Sequence, residues 1–173
     1  MISTLWQRRS AGDRYSLAQI VLHWLVVILV FVQWMTYDAI HRTHSSILPP
    51  RPADLLEHAV HTYSGMSIGV LMALRLVLRL WRGTPPQADG GWRGMVATVV
   101  HGSIYAALFA QVGSGFVATY LWGGAGRIHV ILWNAILMLL ALHLAGVVYH
   151  LVRRDSVVSR MLSLRGSEDR HGA

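Results

Sequence analysis

The chain has 173 residues, of which 54% are hydrophobic and only 13% charged, about half the charged share of an ordinary soluble domain. It contains no cysteine, which excludes disulfide scaffolds, iron–sulfur clusters and thiol catalysis. A mean hydropathy of +0.44 favours a membrane protein, and the net charge of +7 must be read with that in mind.

Four apolar stretches are long enough to cross a bilayer, at about 17–37, 59–81, 95–122 and 128–152. Residues 1–15 form a polar, basic lead-in. The first apolar stretch is too long for a signal-peptide core and lacks a small-residue cleavage site, so it reads as a helix, closed by Asp38. A polar loop with His41, His44, Pro49, Pro50 and Pro52 follows, its two histidines expected in solvent. Asp54 is placed to cap a second helix that starts in the L-L-E-H-A-V run. That helix stops at R-L-W-R-G-T-P-P, where Gly83, Pro85 and Pro86 forbid continuation.

Gly90, Gly91 and Gly94 loosen the approach to the third helix, and W-G-G-A-G at 122–126 makes a short turn before the fourth. Trp34, Trp81, Trp92 and Trp122 fall near the expected interfaces, where indole rings favour the headgroup level. Four spans use up most of the chain and leave no room for a soluble domain. The expectation is one domain over 1–173, all-α, a transmembrane up-down-up-down four-helix bundle.

All fifteen basic residues are arginine, and twelve of them fall on one side of this arrangement. Arg8, Arg9 and Arg14 precede helix 1, Arg75, Arg79, Arg82 and Arg93 bracket the helix 2–3 connection, and Arg153, Arg154, Arg160, Arg165 and Arg170 follow helix 4. Only Arg42, Arg51 and Arg127 lie opposite. The positive-inside rule then places both termini in the cytoplasm. The positive charge serves topology and contact with anionic lipid, not nucleic acid. The eight acidic residues all fall outside the expected spans, which argues against a carboxylate-based proton or cation transporter.

The polar investment inside the spans is histidine. His129 and His143 are fourteen residues apart in the last span, roughly 40° short of four turns, so both share one helix face. They are separated by roughly 21 Å along the axis, too far to hold one metal and far enough to hold two. His23 in helix 1 matches the depth of His143 on the cytoplasmic side, and His61 in helix 2 matches His129 on the periplasmic side. Two imidazoles at each of two levels, each from a different helix, suit bis-histidine ligation of two haem groups. Fourteen residues after His61, His23 and His101 stand Arg75, Tyr37 and Gly115, so only helix 4 can serve both levels.

Competing assignments remain at this stage. His101 sits at a depth that makes it an alternative to His23, and His58 competes with His61 but lies nearer water beside Glu57. His150, seven residues after His143, is placed to touch a haem edge or a cytoplasmic ligand rather than iron, with Tyr149 beside it. Gly65 and Gly69 form a G-x-x-x-G on helix 2 that favours close helix packing or leaves room for a porphyrin, as Gly113 and Gly115 could on helix 3. Arg75 is suited either to a haem propionate or to snorkelling toward headgroups.

The stretches R-Y-S-L-A-Q-I-V-L-H-W-L, H-T-Y-S-G-M-S-I-G-V-L-M-A-L-R-L-V-L-R-L and H-G-S-I-Y-A-A-L-F, with the His129/His143 pair and R-R-D-S-V-V-S-R-M, resemble the bacterial cytochrome b561 family. These are four-helix dihaem cytochromes of the inner membrane, and the resemblance covers nearly the whole chain. It implies two haem b per chain, with His23, His61, His129 and His143 as axial ligands. It also implies electron exchange with membrane quinone, ubiquinone being the expected acceptor, and one branch looks like a superoxide oxidase. Two other readings stand beside it: a haem-bearing membrane anchor for a soluble dehydrogenase or hydrogenase, and a histidine-based zinc or copper protein.

Overall fold

The computed structural model describes residues 15–45, 47, 49–82 and 91–153. The basic residues at 8, 9, 14, 154, 160, 165 and 170, and the Gly83, Pro85, Pro86 and Gly90 breakers, lie outside that set. Four long helices carry the described chain: α1 (Leu17–Thr43), α2 (Pro52–Arg82), α3 (Trp92–Tyr120) and α4 (Gly126–Val152). Each is long and apolar enough to cross a membrane. Large apolar side chains such as Met138, Val70 and Leu144 face outward, as they must when the solvent is lipid.

Local chemistry sets where the helices begin. Ser16 caps α1: its Oγ accepts the Gln19 N–H at 3.3 Å while its own N–H donates to Gln19 Oε1 at 2.9 Å, a reciprocal capping box. Proline opens α2, where its missing N–H costs nothing. Asp54 then reaches back from the first turn to accept the Arg51 N–H at 3.1 Å. Gly91, with φ of 85°, turns the chain into α3 in a conformation that favours glycine. Between α3 and α4, Gly123–Ala125 form one turn of 3-10 helix in place of an open turn.

Helix bounds differ from the sequence expectation at the periplasmic ends. α1 runs through Asp38 to Thr43 and α2 starts at Pro52 rather than near 59. The apolar window ends where headgroups begin, but the α1 backbone remains helical to Thr43, with His44 as its C-cap. Asp38, Asp54 and Glu57 are therefore helical, and Asp54 sits inside the first turn rather than at the cap. His41 likewise belongs to the last turn of α1, its ring edge-on to Tyr37 at 5.2 Å.

The two extended ends are tied together. Arg42 of α1 donates to Asp54 Oδ1 at 2.6 Å and to Glu57 Oε2 at 2.7 Å, and Arg51 adds a contact to Asp54 Oδ2 at 3.2 Å. The Asp54 carboxylate, through hydrogen bond and charge, pushes the Arg51 guanidinium further above its already high value. Arg42 and Arg51 are thus spent on carboxylates of their own chain.

α1 packs chiefly on α2 and α3 on α4, with α2 against α3 joining the two hairpins. At mid-depth, Val26 of α1, Ile68 and Met72 of α2, Leu108 of α3, and Trp133 and Ile136 of α4 form one buried cluster. The glycines of α2 permit this approach. A Cβ at Gly69 would stand 2.9 Å from Val112 Cγ1, and one at Gly65 would stand 3.5 Å from the Gln33 side chain. The G-x-x-x-G therefore serves close helix packing, with α3 on one residue and α1 on the other.

This contact makes a specific demand. Gly69→Ala is expected to destabilise the bundle by about 1–3 kcal/mol through overpacking, and Val112→Ala in the same chain to recover most of the loss. Thermal unfolding in detergent checks it, and an unaffected single variant would contradict the packing described.

Candidate haem-ligand site

The inner seams of three helices repeat at alternating steps of four and three residues. α2 presents His61, Gly65, Ile68, Met72 and Arg75; α3 presents His101, Tyr105, Leu108, Val112 and Gly115; α4 presents His129, Trp133, Ile136, Leu140 and His143. Such steps keep one face turned toward the neighbouring helices. The α2 and α4 seams are apolar in the middle and polar at both ends, and α3 adds His101 at one end, so the bundle holds two polar levels separated by the buried cluster.

At the level nearer the α1–α2 connection, expected to be periplasmic, the rings of His61 and His129 meet edge-on from α2 and α4, with centroids 6.4 Å apart at 68°. Two imidazole nitrogens each about 2 Å from a shared metal would put the centroids roughly 6 Å apart. The hydrogen bonds around both rings fix which nitrogen carries the proton. His129 Nδ1 lies 3.0 Å from the Gln111 carbonyl oxygen, which can only accept, so Nδ1–H is the donor. Ser114 Oγ is also 3.1 Å from that nitrogen. His129 Nε2 therefore keeps its lone pair, toward which the Gln111 side-chain amide donates at 3.0 Å.

His61 follows the same rule. Its Nδ1 is 3.1 Å from Thr36 Oγ1, whose single proton goes to the Val32 carbonyl at 2.8 Å. Both contacts are satisfied only if His61 Nδ1–H donates, again leaving Nε2 bare. A histidine that gives its Nδ1–H to an oxygen and presents Nε2 is in the state that metals take. Gln33 fixes the backbone beneath it, donating to the His61 carbonyl and to Ser64 Oγ, each at 2.7 Å.

Two further features fit a bulky ligand held by these imidazoles. A Cβ at Gly115 would lie 2.8 Å from His129 Cε1, so the ring occupies space that glycine alone leaves open. The Oε1 of Gln111 is buried with no partner, so its amide has little to lose by swinging off His129 Nε2. Among the described residues, no group of three or more His, Asp or Glu side chains could hold a metal ion. An imidazole pair is a poor zinc site, yet it completes the shell of a metal whose other ligands come from a macrocycle.

The other level, expected to be cytoplasmic, is a cluster of four. The His143 ring is edge-on to His101 at 5.0 Å and 83°, while Arg75, His143 and His101 are the charged or chargeable neighbours of His23. His101 donates Nδ1–H to the Ala97 carbonyl at 2.6 Å and so presents Nε2. Arg75 Nη1 donates to His23 Nδ1 at 2.8 Å, which leaves the His23 proton on Nε2 if the ring is neutral. Arg75 lies inside the bundle, its guanidinium 5.9 Å from the Tyr105 ring centroid, with Arg79 at 5.7 Å from the same ring. Of the sequence candidates, then, His61 and His129 are brought together edge-on, His143 meets His101, and His23 joins them through Arg75.

The remaining histidines lie apart. His150 is edge-on to Tyr149 at 5.4 Å, about two helix turns beyond His143. His58 turns toward α1, bonding Thr43 Oγ1 at 2.7 Å and stacking on His44 at 5.2 Å. It takes no part in the His61–His129 pair. Sequence reasoning missed Gln33, Thr36, Gln111 and Ser114. The available signal was their position: all four are polar residues at the depth of His61 and His129, where lipid-facing residues are apolar.

A family model described as "Prokaryotic cytochrome b561" matches residues 14–164. The chain is 27% identical to a protein named cytochrome b562 from Cereibacter sphaeroides, over 87% of this chain and 96% of that one. It is 28% identical to a probable superoxide oxidase CybB from Yersinia pestis, over 86% of this chain and 96% of that one.

The Gly115 contact yields a test. Gly115→Ala is expected to displace His129 and to weaken the b-type absorbance of the purified protein, with helicity by circular dichroism unchanged. An unaltered spectrum would contradict the close approach of ring and backbone.

Proposed function

This chain belongs to the prokaryotic cytochrome b561 family, and from that premise we propose that it is a dihaem carrier linking a periplasmic donor to the quinone pool. Family membership makes it a multi-pass membrane haem cytochrome of electron transfer; the number of haems, their ligands and the redox partners are the proposed part. His61 and His129 hold the periplasmic haem b, and His23 and His143 hold the cytoplasmic one. The observation that carries this reading is the facing pair His61–His129, 6.4 Å apart, repeated one seam-length away by the cluster around His143. Haem iron with both axial positions filled supplies one-electron outer-sphere transfer and no substrate coordination.

The chain's own residues do the rest. Trp133, Ile136, Ile68 and Met72 exclude water between the two levels. On the cytoplasmic side, Arg75, which donates to His23 Nδ1, would be the residue to hold a haem propionate, its planar guanidinium matching a carboxylate. His150 and Tyr149 stand beyond it, at the height suited to ubiquinone. Both termini are on this side, where the arginine excess lies.

The name of the Yersinia pestis relative supplies superoxide as the periplasmic donor. Each superoxide would give one electron and leave dioxygen, and two electrons with two protons would convert quinone to quinol. This chain's electrostatics add little steering for that anion. Arg42 and Arg51 are paired with Asp54 and Glu57, while Arg127 makes no ion pair among the described residues. Superoxide must therefore be tested directly. The zinc or copper alternative gains no support from imidazole pairs without a third donor.

Purified protein is expected to carry close to two haem b per chain, with His61→Ala and His143→Ala each losing about half. His23→Ala should match His143→Ala, whereas His101→Ala should keep both haems. Pyridine haemochrome assay measures each. Loss on His101→Ala and retention on His23→Ala would reassign the cytoplasmic ligand, and a colourless folded protein would end the proposal. Mixing with superoxide and, separately, with quinol then identifies the donor from the haem band.

A further inference from the structure

The periplasmic histidines are held by different acceptors. His129 gives its Nδ1–H to a backbone carbonyl, that of Gln111 at 3.0 Å, and no substitution can remove that oxygen. His61 gives its Nδ1–H to a side chain on another helix, Thr36 of α1, at 3.1 Å. Thr36 is buried, 7% exposed, and its hydroxyl proton is committed to the Val32 carbonyl at 2.8 Å. The hydroxyl oxygen is therefore oriented as an acceptor before the imidazole reaches it. Beside it, Gln33 fixes the His61 carbonyl at 2.7 Å, so α1 grips both the backbone and the ring of this one residue.

From this relay, which rests on the reading of His61 as an axial ligand, we propose that Thr36 is a positioning residue. It sets the orientation of the His61 ring and, through it, the reduction potential of the periplasmic haem. The chain of donors runs from His61 Nδ1–H to Thr36 Oγ1 and from Thr36 Oγ1–H to Val32 C=O. An acceptor on Nδ1–H raises the basicity of the ligating nitrogen. A more basic axial ligand stabilises the oxidised iron and lowers the potential. Thr36 thus holds the periplasmic haem at a lower potential than a histidine without an acceptor would give. This also assigns α1 a part at both levels: a ligand at the cytoplasmic one through His23, and an acceptor at the periplasmic one.

The test is Thr36→Val, which keeps the branched shape and removes the hydroxyl, compared with Thr36→Ser, which keeps the hydroxyl. Redox titration and low-temperature electron paramagnetic resonance of the oxidised proteins are read alongside haem content. Thr36→Val is expected to retain both haems, to raise the midpoint potential of one and leave the other unmoved, and to shift the low-spin signal of that haem alone. Thr36→Ser should restore both readouts. Unchanged potential and spectrum in Thr36→Val, or an equal shift in Thr36→Ser, overturns the proposal. Should Thr36→Val lose haem, Thr36→Ser with native potentials still supports the hydroxyl's role, and Thr36→Ser with altered ones refutes it. Haem content of His61→Ala separates the two levels of argument: if that variant keeps both haems, the ligand assignment fails rather than the relay.

Discussion

Everything in this bundle depends on the requirement that an imidazole inside a membrane have somewhere to put its proton. Lipid offers no acceptor, and an unpaired buried polar group costs several kcal/mol. His61 and His129 meet this requirement through Nδ1, on Thr36 and on the Gln111 carbonyl respectively. Each solution leaves Nε2 without a proton. The same bonds that make the histidines tolerable in the membrane also prepare them as ligands. His101 repeats the device with the Ala97 carbonyl, and His23 departs from it because Arg75 donates to its Nδ1.

The seam explains why these prepared rings fall at two heights and nowhere between. Steps of four and three residues return to the same face every seven, so positions fourteen apart align. α4 uses both ends of that interval for histidine. α2 uses one end for His61 and the other for Arg75, and α3 uses His101 and then Gly115. The substitution of arginine and glycine at the equivalent positions gives each level its character. Gly115 yields space to the His129 ring, while Arg75 brings a fixed positive charge to the cytoplasmic cluster. Between them, the Val26, Ile68, Met72, Leu108, Trp133 and Ile136 cluster is what remains when only apolar residues occupy the seam.

Much of this was legible in the residues, for identifiable reasons. Spans of about twenty apolar residues are forced by bilayer thickness, so element number and order followed from hydropathy. Depth matching brought out His61 with His129 because helical rise converts sequence position directly into height. Helix ends were less legible: hydropathy falls at the headgroups, while α1 continues through Asp38 to Thr43 and α2 begins at Pro52. The choice between His23 and His101 was hidden for a different reason. Both occupy the same height, and only lateral placement, which depends on packing, separates them. Thr36 and Gln33 carry no motif, and a threonine in a membrane helix is usually satisfied by its own backbone, as Thr36 also is.

The two ends of the molecule invest their charge differently, and that difference bears on what each can contact. At the end where α1 connects to α2, Arg42 fastens the two helices through Asp54 and Glu57, while Arg51 closes locally on Asp54 at the start of α2. Fastening there keeps Thr36 and Gln33 of α1 in register with His61 of α2, which lies two turns below the ion pairs. A rim whose arginines are paired with carboxylates exerts little long-range pull on an anion. At the opposite end Arg75 and Arg79 share the Tyr105 ring, and Arg75 also donates to His23 Nδ1. One level of the bundle is therefore marked by fixed positive charge and the other by hydrogen-bonded positioning of its imidazoles.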